Sequence, residues 1–186
     1  MPIPRLRPND AVLLVIDLQE KLLPTIPDRD RLLNNAAVAL RMAAEFGLPY
    51  LVTEQYPQGL GRTDDRITRA MLDPSARVEK TSFSAYPGLV AERLNAWRRG
   101  SVMLCGIEGH VCVMQTALDL QQAGYQTFLL GDATACSQPA QMDPAIRRME
   151  RAGVVTTGVM SAVYELMGDS KHPSLKPCVE LVKQLR

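Results

Sequence analysis

The chain has 186 residues and a net charge of +1, from 21 lysines and arginines against 20 aspartates and glutamates. This length suffices for one α/β domain with a substantial core, so we expect residues 1–186 to form a single domain. The balance of charges argues against nucleic acid or an anionic membrane as a partner, because both attract a basic field. No apolar stretch approaches the ~20 residues that cross a bilayer.

The predicted elements alternate between apolar runs and helical patterns, which is typical of a parallel sheet covered by helices. The predicted strands are Ala11–Asp17, Tyr50–Thr53, Ala76–Lys80, Ser101–Gly106, Gln126–Leu130 and Val154–Thr157. The predicted helices are Arg31–Phe46 with Asp30 as its cap, Gly88–Arg98, Gly109–Ala123, a helix from the cap Asp143 to about Gly153, and Ser174–Leu185. Tyr56–Gly61, rich in proline and glycine, predicts a loop.

The four cysteines stand at positions 105, 112, 136 and 178, a spacing that fits neither a disulfide scaffold nor a zinc site. Residues 1–8 carry two arginines but no apolar core of a secretory signal. We therefore expect a reduced, cytoplasmic protein without a metal or a cofactor. Cys105, Cys136 and Cys178 are expected to be buried packing residues, since free cysteine behaves as a small hydrophobe.

Three chemically capable side chains lie at predicted strand ends. Asp17 closes the first strand, Lys80 closes the third, and Cys112 lies in the first turn of the helix after the fourth. The carboxyl ends of parallel strands meet at one edge of a sheet, so these side chains can converge on one crevice. A helix N-terminus stabilises a thiolate, which is the nucleophilic form, and the pattern therefore predicts a lowered pKa for Cys112.

Several segments together resemble the isochorismatase-like cysteine hydrolases. These segments are Val15–Gln19, Thr53–Pro57, Glu79–Ser84, Cys105–Cys112 and Gly131–Thr134. Thr53–Pro57 and Gly168–Pro173 look most like the isochorismatase domain-containing subgroup of unassigned substrate. The resemblance implies a three-layer, doubly wound, Rossmann-like α/β fold. Its six-stranded parallel sheet would have the strand order 3-2-1-4-5-6, and the protein would be a homo-oligomer.

The resemblance also implies a catalytic triad of Asp17, Lys80 and Cys112 that hydrolyses a small amide or related C–N substrate through a thioester. Asp17 would act as the base and Lys80 as its partner. The backbone N–H groups of Glu108 and Cys112 would form the oxyanion hole, aimed by a cis peptide bond between Ile107 and Glu108.

Two departures narrow the implied activity. Nicotinamidases of the family bind a metal through an acid and histidines near the second strand, whereas no histidine here precedes His110. This puts nicotinamide in doubt as the substrate, although a hard-ion site of oxygens alone stays open. Family members that cleave a vinyl ether lack the cysteine, so Cys112 argues against that reaction. His110 lies two positions before Cys112 on the predicted helix and would point away from it.

Some sequence interpretations stay open. Gln19, Gln55, Tyr56 and Phe83 follow strand ends, where they either line the substrate pocket or brace the loops. The side chain of Glu108 faces either the pocket or an adjoining subunit. The alternatives to a metal-independent cysteine hydrolase are a non-catalytic, homo-oligomeric binding protein with a reactive thiol and a nicotinamidase-type amidase.

Overall fold

The computed structural model describes residues 3–185, and within them six strands form one parallel sheet in the order β3-β2-β1-β4-β5-β6. The strands are β1 (Ala11–Ile16), β2 (Tyr50–Gln55), β3 (Arg77–Lys80), β4 (Ser101–Gly106), β5 (Gln126–Thr134) and β6 (Val155–Thr157). The predicted strand order is confirmed. Its reversal between β1 and β4 opens the crevice in which doubly wound sheets bind ligands.

Helices cover both faces of the sheet. They are α1 (Arg29–Glu45), α2 (Pro57–Leu60), α3 (Asp65–Ala70), α4 (Leu89–Trp97), α5 (Met114–Gln122), α6 (Met142–Arg151), α7 (Val159–Met167) and α8 (Leu175–Val182). A π-helical turn, Gly109–Val113, precedes α5. Helices α1, α7 and α8 pack on one face, and α4, α5 and α6 pack on the other.

The central strand β1 shows why the sheet needs both helical layers. All six of its residues are buried. Leu13 and Val15 belong to the core on the α1 side, whereas Leu14 and Ile16 belong to the core on the α5 side. A strand buried on both faces is a continuous apolar run rather than an alternating one, and this run is what identified β1 in the sequence.

Two strands are longer than predicted. β2 continues through Glu54 and Gln55, which pair with Glu79 and Lys80 of β3. β5 continues past Leu130 to Thr134, with a register shift relative to β4. Glutamate, glutamine, glycine and aspartate are poor strand formers, so only pairing with neighbouring strands extends these two.

The helix starts were placed incorrectly in two cases. α1 begins at Arg29, before the predicted cap Asp30, and follows Asp28 in a left-handed conformation with φ 52°. α6 begins at Met142, so Asp143 lies in its first turn and is not its cap. In both cases the aspartate contributes an acidic residue to the first turn, where it complements the helix dipole.

Three helical segments were not anticipated: α2, α3 and α7. The expected loop at 56–61 contains one helical turn, α2, which begins at Pro57. Helix α7 directly follows β6 and buries Val159, Ala162, Val163 and Leu166 against the sheet. Its short apolar pattern cannot be told from a strand by periodicity alone.

Candidate active site

Asp17 lies at the base of the crevice, immediately after β1. It is fully buried and has a left-handed backbone with φ 51°. Its carboxylate Oδ1 accepts a hydrogen bond from Thr53 Oγ1 at 2.7 Å, and Oδ2 lies 2.7 Å from Lys80 Nζ. The left-handed turn thus directs a buried anion toward two donors at the tips of β2 and β3.

Lys80 ends β3 and forms a buried ion pair with Asp17. Its side chain is 6% exposed. Besides Asp17, Nζ donates to Gln55 Oε1 at 2.7 Å and to the backbone oxygens of Phe83 at 3.1 Å and Ser82 at 3.2 Å. One anion and three neutral oxygens therefore surround the ammonium group, which satisfies a charge that would be costly to bury alone.

Cys112 lies in the π-helical turn on the other side of the crevice and is 7% exposed. Asp17, Lys80 and the backbone N–H of Glu108 all lie close enough to its sulfur to shift the pKa of the thiol. The structure therefore brings together Asp17, Lys80 and Cys112.

The protonation state of Cys112 differs from the sequence expectation. Burial raises the pKa of this thiol to about 12; the negative charge of Asp17 adds to the rise, while Lys80 and the Glu108 N–H partly offset it. The predicted lowering of the pKa is therefore wrong, because desolvation and the adjacent anion outweigh the cation and the helix terminus. At neutral pH the sulfur is a protonated thiol with a carboxylate beside it.

The turn between β4 and Cys112 contains the expected cis peptide bond, between Ile107 and Glu108. Gly106 precedes it with φ 122°, and a Cβ atom there would lie 2.0 Å from the carbonyl oxygen of Ile16. Only glycine permits this approach of β4 to β1. The Ile107 N–H then donates to the same Ile16 oxygen at 3.0 Å, so the turn is fixed to the β1 backbone.

The Glu108 side chain faces neither the Cys112 sulfur nor open solvent. Its Oε2 accepts from the backbone N–H of Ser137 at 2.8 Å and lies 3.5 Å from His110 Nδ1. It thereby connects the Cys112 turn to the segment after β5. His110 is oriented toward Glu108, which agrees with the expectation that it forms no dyad with Cys112.

The remaining candidate residues divide into two groups. Gln19 is fully buried and braces the loops through Gln55 and Gly61. Tyr56 and Phe83 are 54% and 58% exposed, and they follow β2 and β3 near Lys80. Exposed aromatic rings beside a buried reactive group are available to contact a ligand.

Thr53 is a site residue that the sequence reasoning missed. Its hydroxyl donates to Asp17 Oδ1 at 2.7 Å, and its backbone oxygen accepts from the Asp17 N–H at 3.2 Å. The available signal was positional, because Thr53 lies on the strand adjacent to β1 and pairs with Ile16. Because Ile16 is the last residue of β1, a hydroxyl on its pairing partner lies close to the residue that follows the strand, Asp17.

Glu54 is the acid of β2, the strand near which the resemblance would place a nicotinamidase-type metal. It is fully buried, and its Oε1 accepts from the N–H and the hydroxyl of Thr63, each at 2.7 Å, and lies 3.3 Å from Arg77 Nε. Over residues 3–185 no group of three or more His, Cys, Asp or Glu is arranged to hold a metal ion. In the same residues no helix has the length and apolar character needed to traverse a membrane.

Known proteins resemble this chain in sequence and in fold. A family model described as the isochorismatase domain matches residues 11–160. Isochorismatase domain-containing protein 2A of Mus musculus is 36% identical over 182 residues, which cover 97% of this chain and 86% of that protein. Among solved structures, the MAR1 ribonuclease from Caenorhabditis elegans has a TM-score of 0.92 and 31% identity, covering 97% of this chain and 93% of that one. The YcaC gene product from Escherichia coli, described as an octameric hydrolase of unknown specificity, has a TM-score of 0.92 at 23% identity, covering all of this chain and 92% of its own.

Proposed function

The chain belongs to the isochorismatase family, and from this premise we propose that it is a hydrolase in which Cys112 attacks a small amide or related C–N substrate. The observation that carries the proposal is the buried ion pair between Lys80 and Asp17, 2.7 Å long, beside a Cys112 thiol whose pKa both groups shift. A nucleophile beside a base that a third group orients is the arrangement required for covalent catalysis.

In the first half-reaction, the thiol proton moves to the Asp17 carboxylate as the sulfur forms a bond to the substrate carbonyl carbon. The carbonyl electron pair moves onto oxygen, which gives a tetrahedral oxyanion. When this intermediate collapses, the C–N bond breaks and the protonated Asp17 gives its proton to the departing nitrogen. The products are an amine or ammonia and a thioester on Cys112.

In the second half-reaction, water attacks the thioester carbonyl. Asp17 takes a proton from the water, the C–S bond breaks, and the proton returns to the leaving sulfur. The carboxylic acid departs, and the thiol and carboxylate are restored. Because the resting sulfur is protonated, one carboxylate serves as both base and acid in each half-reaction.

Lys80 and the Cys112 turn supply the electrostatics in this proposal. Lys80 holds the Asp17 carboxylate in place beside the thiol. The backbone N–H groups of Glu108 and Cys112 act as the oxyanion donors, and the effect of the Glu108 N–H on the pKa of the thiol, which it lowers, supports this role. Tyr56 and Phe83 are the candidate substrate contacts, whereas Gln19 supports the surrounding loops.

The alternatives find less support. The Caenorhabditis elegans relative is described as a ribonuclease. A polyanionic substrate requires an excess of positive charge, but this chain carries only +1. For a nicotinamidase-type metal centre, β2 supplies only Glu54, whose Oε1 is held by Thr63 and lies 3.3 Å from Arg77, and no histidine precedes His110. A binding protein that merely retains a thiol has no need for a buried ion pair beside it.

We also propose that the protein forms a homo-oligomer in the cytoplasm. The apolar residues of the C-terminal helix, which suggested this from the sequence, pack partly against α1 in the same chain. The exposed apolar face is instead on α7, at Met160 and Tyr164, which are 46% and 43% exposed. Sedimentation that shows only a 20.5 kDa species at micromolar concentration would contradict the oligomer.

A turnover screen tests the proposed reaction. Wild-type protein is incubated with a panel of small amides, quenched in acid and analysed by peptide mass spectrometry for an acyl group on Cys112. We expect one or more amides to be hydrolysed and to leave a thioester adduct on that peptide. Turnover that persists in Cys112→Ala would overturn the proposal, and an acyl adduct on another cysteine would do the same.

A further inference from the structure

Gln55 occupies an unusual position beside the candidate triad. It ends β2 and pairs in register with Lys80 of β3. Its side-chain Nε2 donates to the backbone oxygen of Thr81 at 2.7 Å, and its Oε1 accepts from Lys80 Nζ at 2.7 Å. Since only the amino group can donate to the Thr81 carbonyl, the orientation of the amide is fixed and its oxygen faces the ammonium group.

A second glutamine holds Gln55 from behind. Gln19 Oε1 accepts from the backbone N–H of Gln55 at 2.8 Å, and Gln19 Nε2 donates to the backbone oxygen of Gln55 at 3.0 Å. Gln19 Nε2 also donates to the Gly61 oxygen at 2.7 Å. Gln19 is fully buried, and it binds both the backbone N–H and the backbone oxygen of Gln55 at the end of β2. The side chain of Gln55 therefore starts from a rigid anchor.

We propose that Gln55 is a positioning residue, which holds the charged Lys80 ammonium group against Asp17 by means of a neutral oxygen. The proposal rests on the function proposed above. A lysine stem has four flexible carbons, so its head group needs several acceptors to stay in one place. The oxygen of Gln55 and that of Asp17 share the shortest distance to Nζ, and only the Asp17 oxygen is charged.

The neutrality of this acceptor is the important feature. A carboxylate at position 55 would compete with Asp17 for Lys80 and would add a negative charge near Cys112. Both effects disfavour formation of a thiolate. A glutamine supplies an acceptor of the same shape without that charge, so all of the electrostatic effect of Lys80 is directed to Asp17 and the sulfur.

Gln55→Glu tests this role because it preserves shape and changes charge. The rate at which iodoacetamide alkylates Cys112 is measured by peptide mass spectrometry between pH 8 and 10. In this range the rate reports the fraction of the thiol that is ionised. We expect Gln55→Glu to slow alkylation by about 3- to 10-fold, since one pKa unit is a tenfold change. The matched control is Gln58→Glu, an exposed residue nearby, for which solvent screening predicts a change of less than about 2-fold.

A reference variant separates this inference from the proposed function. Asp17→Asn removes the anion beside the thiol, so it should speed alkylation of Cys112. If Asp17→Asn has no effect, the proposed coupling of the triad is wrong. If Asp17→Asn speeds alkylation but Gln55→Glu matches wild type or Gln58→Glu, only the role of Gln55 is wrong.

A second substitution covers the case in which Gln55→Glu does not fold. Gln55→Met keeps the length of the side chain but removes the acceptor, so Lys80 loses one of its two short contacts. We expect slower alkylation of Cys112, by a smaller factor than for Gln55→Glu. A wild-type rate in Gln55→Met, together with a lowered melting temperature, would mean that Gln55 only stabilises the fold.

Discussion

Cys105 and Cys112 lie on the two sides of one turn, and they show what distinguishes a packing cysteine from a reactive one. Both are buried, and burial raises the pKa of each thiol. Cys105 sits within β4, paired with Val15 in the apolar core. Cys112 instead lies beside the Asp17 carboxylate and the Glu108 backbone N–H, both of which shift the pKa of its thiol. Burial alone therefore does not separate the two thiols; the polar groups beside Cys112 do.

The largest expected difference between the two cysteines is in turnover. Cys112→Ala should abolish hydrolysis of any substrate that the screen identifies, because no other group can form the thioester. Cys105→Ala should retain hydrolysis, since its thiol contacts no reacting group. Steady-state rates of both variants, with circular dichroism to confirm folding, make the comparison. Loss of activity in both variants would mean that the turn itself, and not the Cys112 thiol, is what matters.

Removal of the proposed base, Asp17, should slow turnover nearly as much as removal of Cys112. Asp17→Asn should lower kcat by about 10² to 10⁴, the usual contribution of a general base. Lys80→Met should lower kcat by a similar factor, because removing any one member of a group that acts as a unit abolishes most of the rate enhancement of the group. The double variant should be no slower than either single one. Additive losses in the double variant would contradict a shared mechanism.

Stability should show the opposite ranking of the two cysteines. Cys105→Ala deletes a fully buried sulfur from the core and should lower the free energy of unfolding by about 1–2 kcal/mol. Cys112→Ala should cost less, because the sulfur borders the crevice and its removal also relieves the burial of a polar group beside an anion. Urea denaturation at pH 7 measures both. A larger loss for Cys112→Ala would assign it a structural role.

Alkaline pH should reveal the smallest effect. Both thiols have raised pKa values in the folded protein, so each contributes stability that is complete below the thiol pKa of the unfolded chain, about 8.5. This contribution is lost as pH rises toward the folded value, which for Cys112 is about 12. Above pH 9, ionisation of each thiol in the unfolded chain should therefore lower the free energy of unfolding by up to about 1.4 kcal/mol per pH unit. Replacing either cysteine by alanine should make the decline in unfolding free energy between pH 9 and 10 shallower; an unchanged slope would contradict the raised pKa.

The parallel sheet and the meeting of Asp17, Lys80 and Cys112 at one of its edges followed from the alternation of elements, whereas the strand order came from the family resemblance. Apolar runs separated by helical patterns define a parallel sheet, and Asp17, Lys80 and Cys112 each follow a strand. Side chains at the carboxyl ends of parallel strands have nowhere to lie except one edge. The direction of the sheet therefore placed them near each other before any contact was known.

Details that depend on contacts between distant segments could not be predicted. Gln19 and Gln55 are 36 positions apart, and nothing in the sequence around either residue indicates that Gln19 binds the backbone of Gln55. The same holds for Glu108 and Ser137, which are 29 positions apart. The pKa of Cys112 depends on its burial and on the distance to Asp17, so the helix terminus alone gave the wrong direction.

In the proposed mechanism, resting Cys112 is a thiol whose proton Asp17 accepts during attack. Thiolate absorbs in the ultraviolet, so the difference spectrum between wild type and Cys112→Ala, titrated from pH 6 to 11, reports this sulfur directly. We expect no thiolate signal from Cys112 near neutral pH, a rise only well above pH 9, and a shift to lower pH in Asp17→Asn. A thiolate at neutral pH in wild type, or an upward shift in Asp17→Asn, would contradict the proposed mechanism.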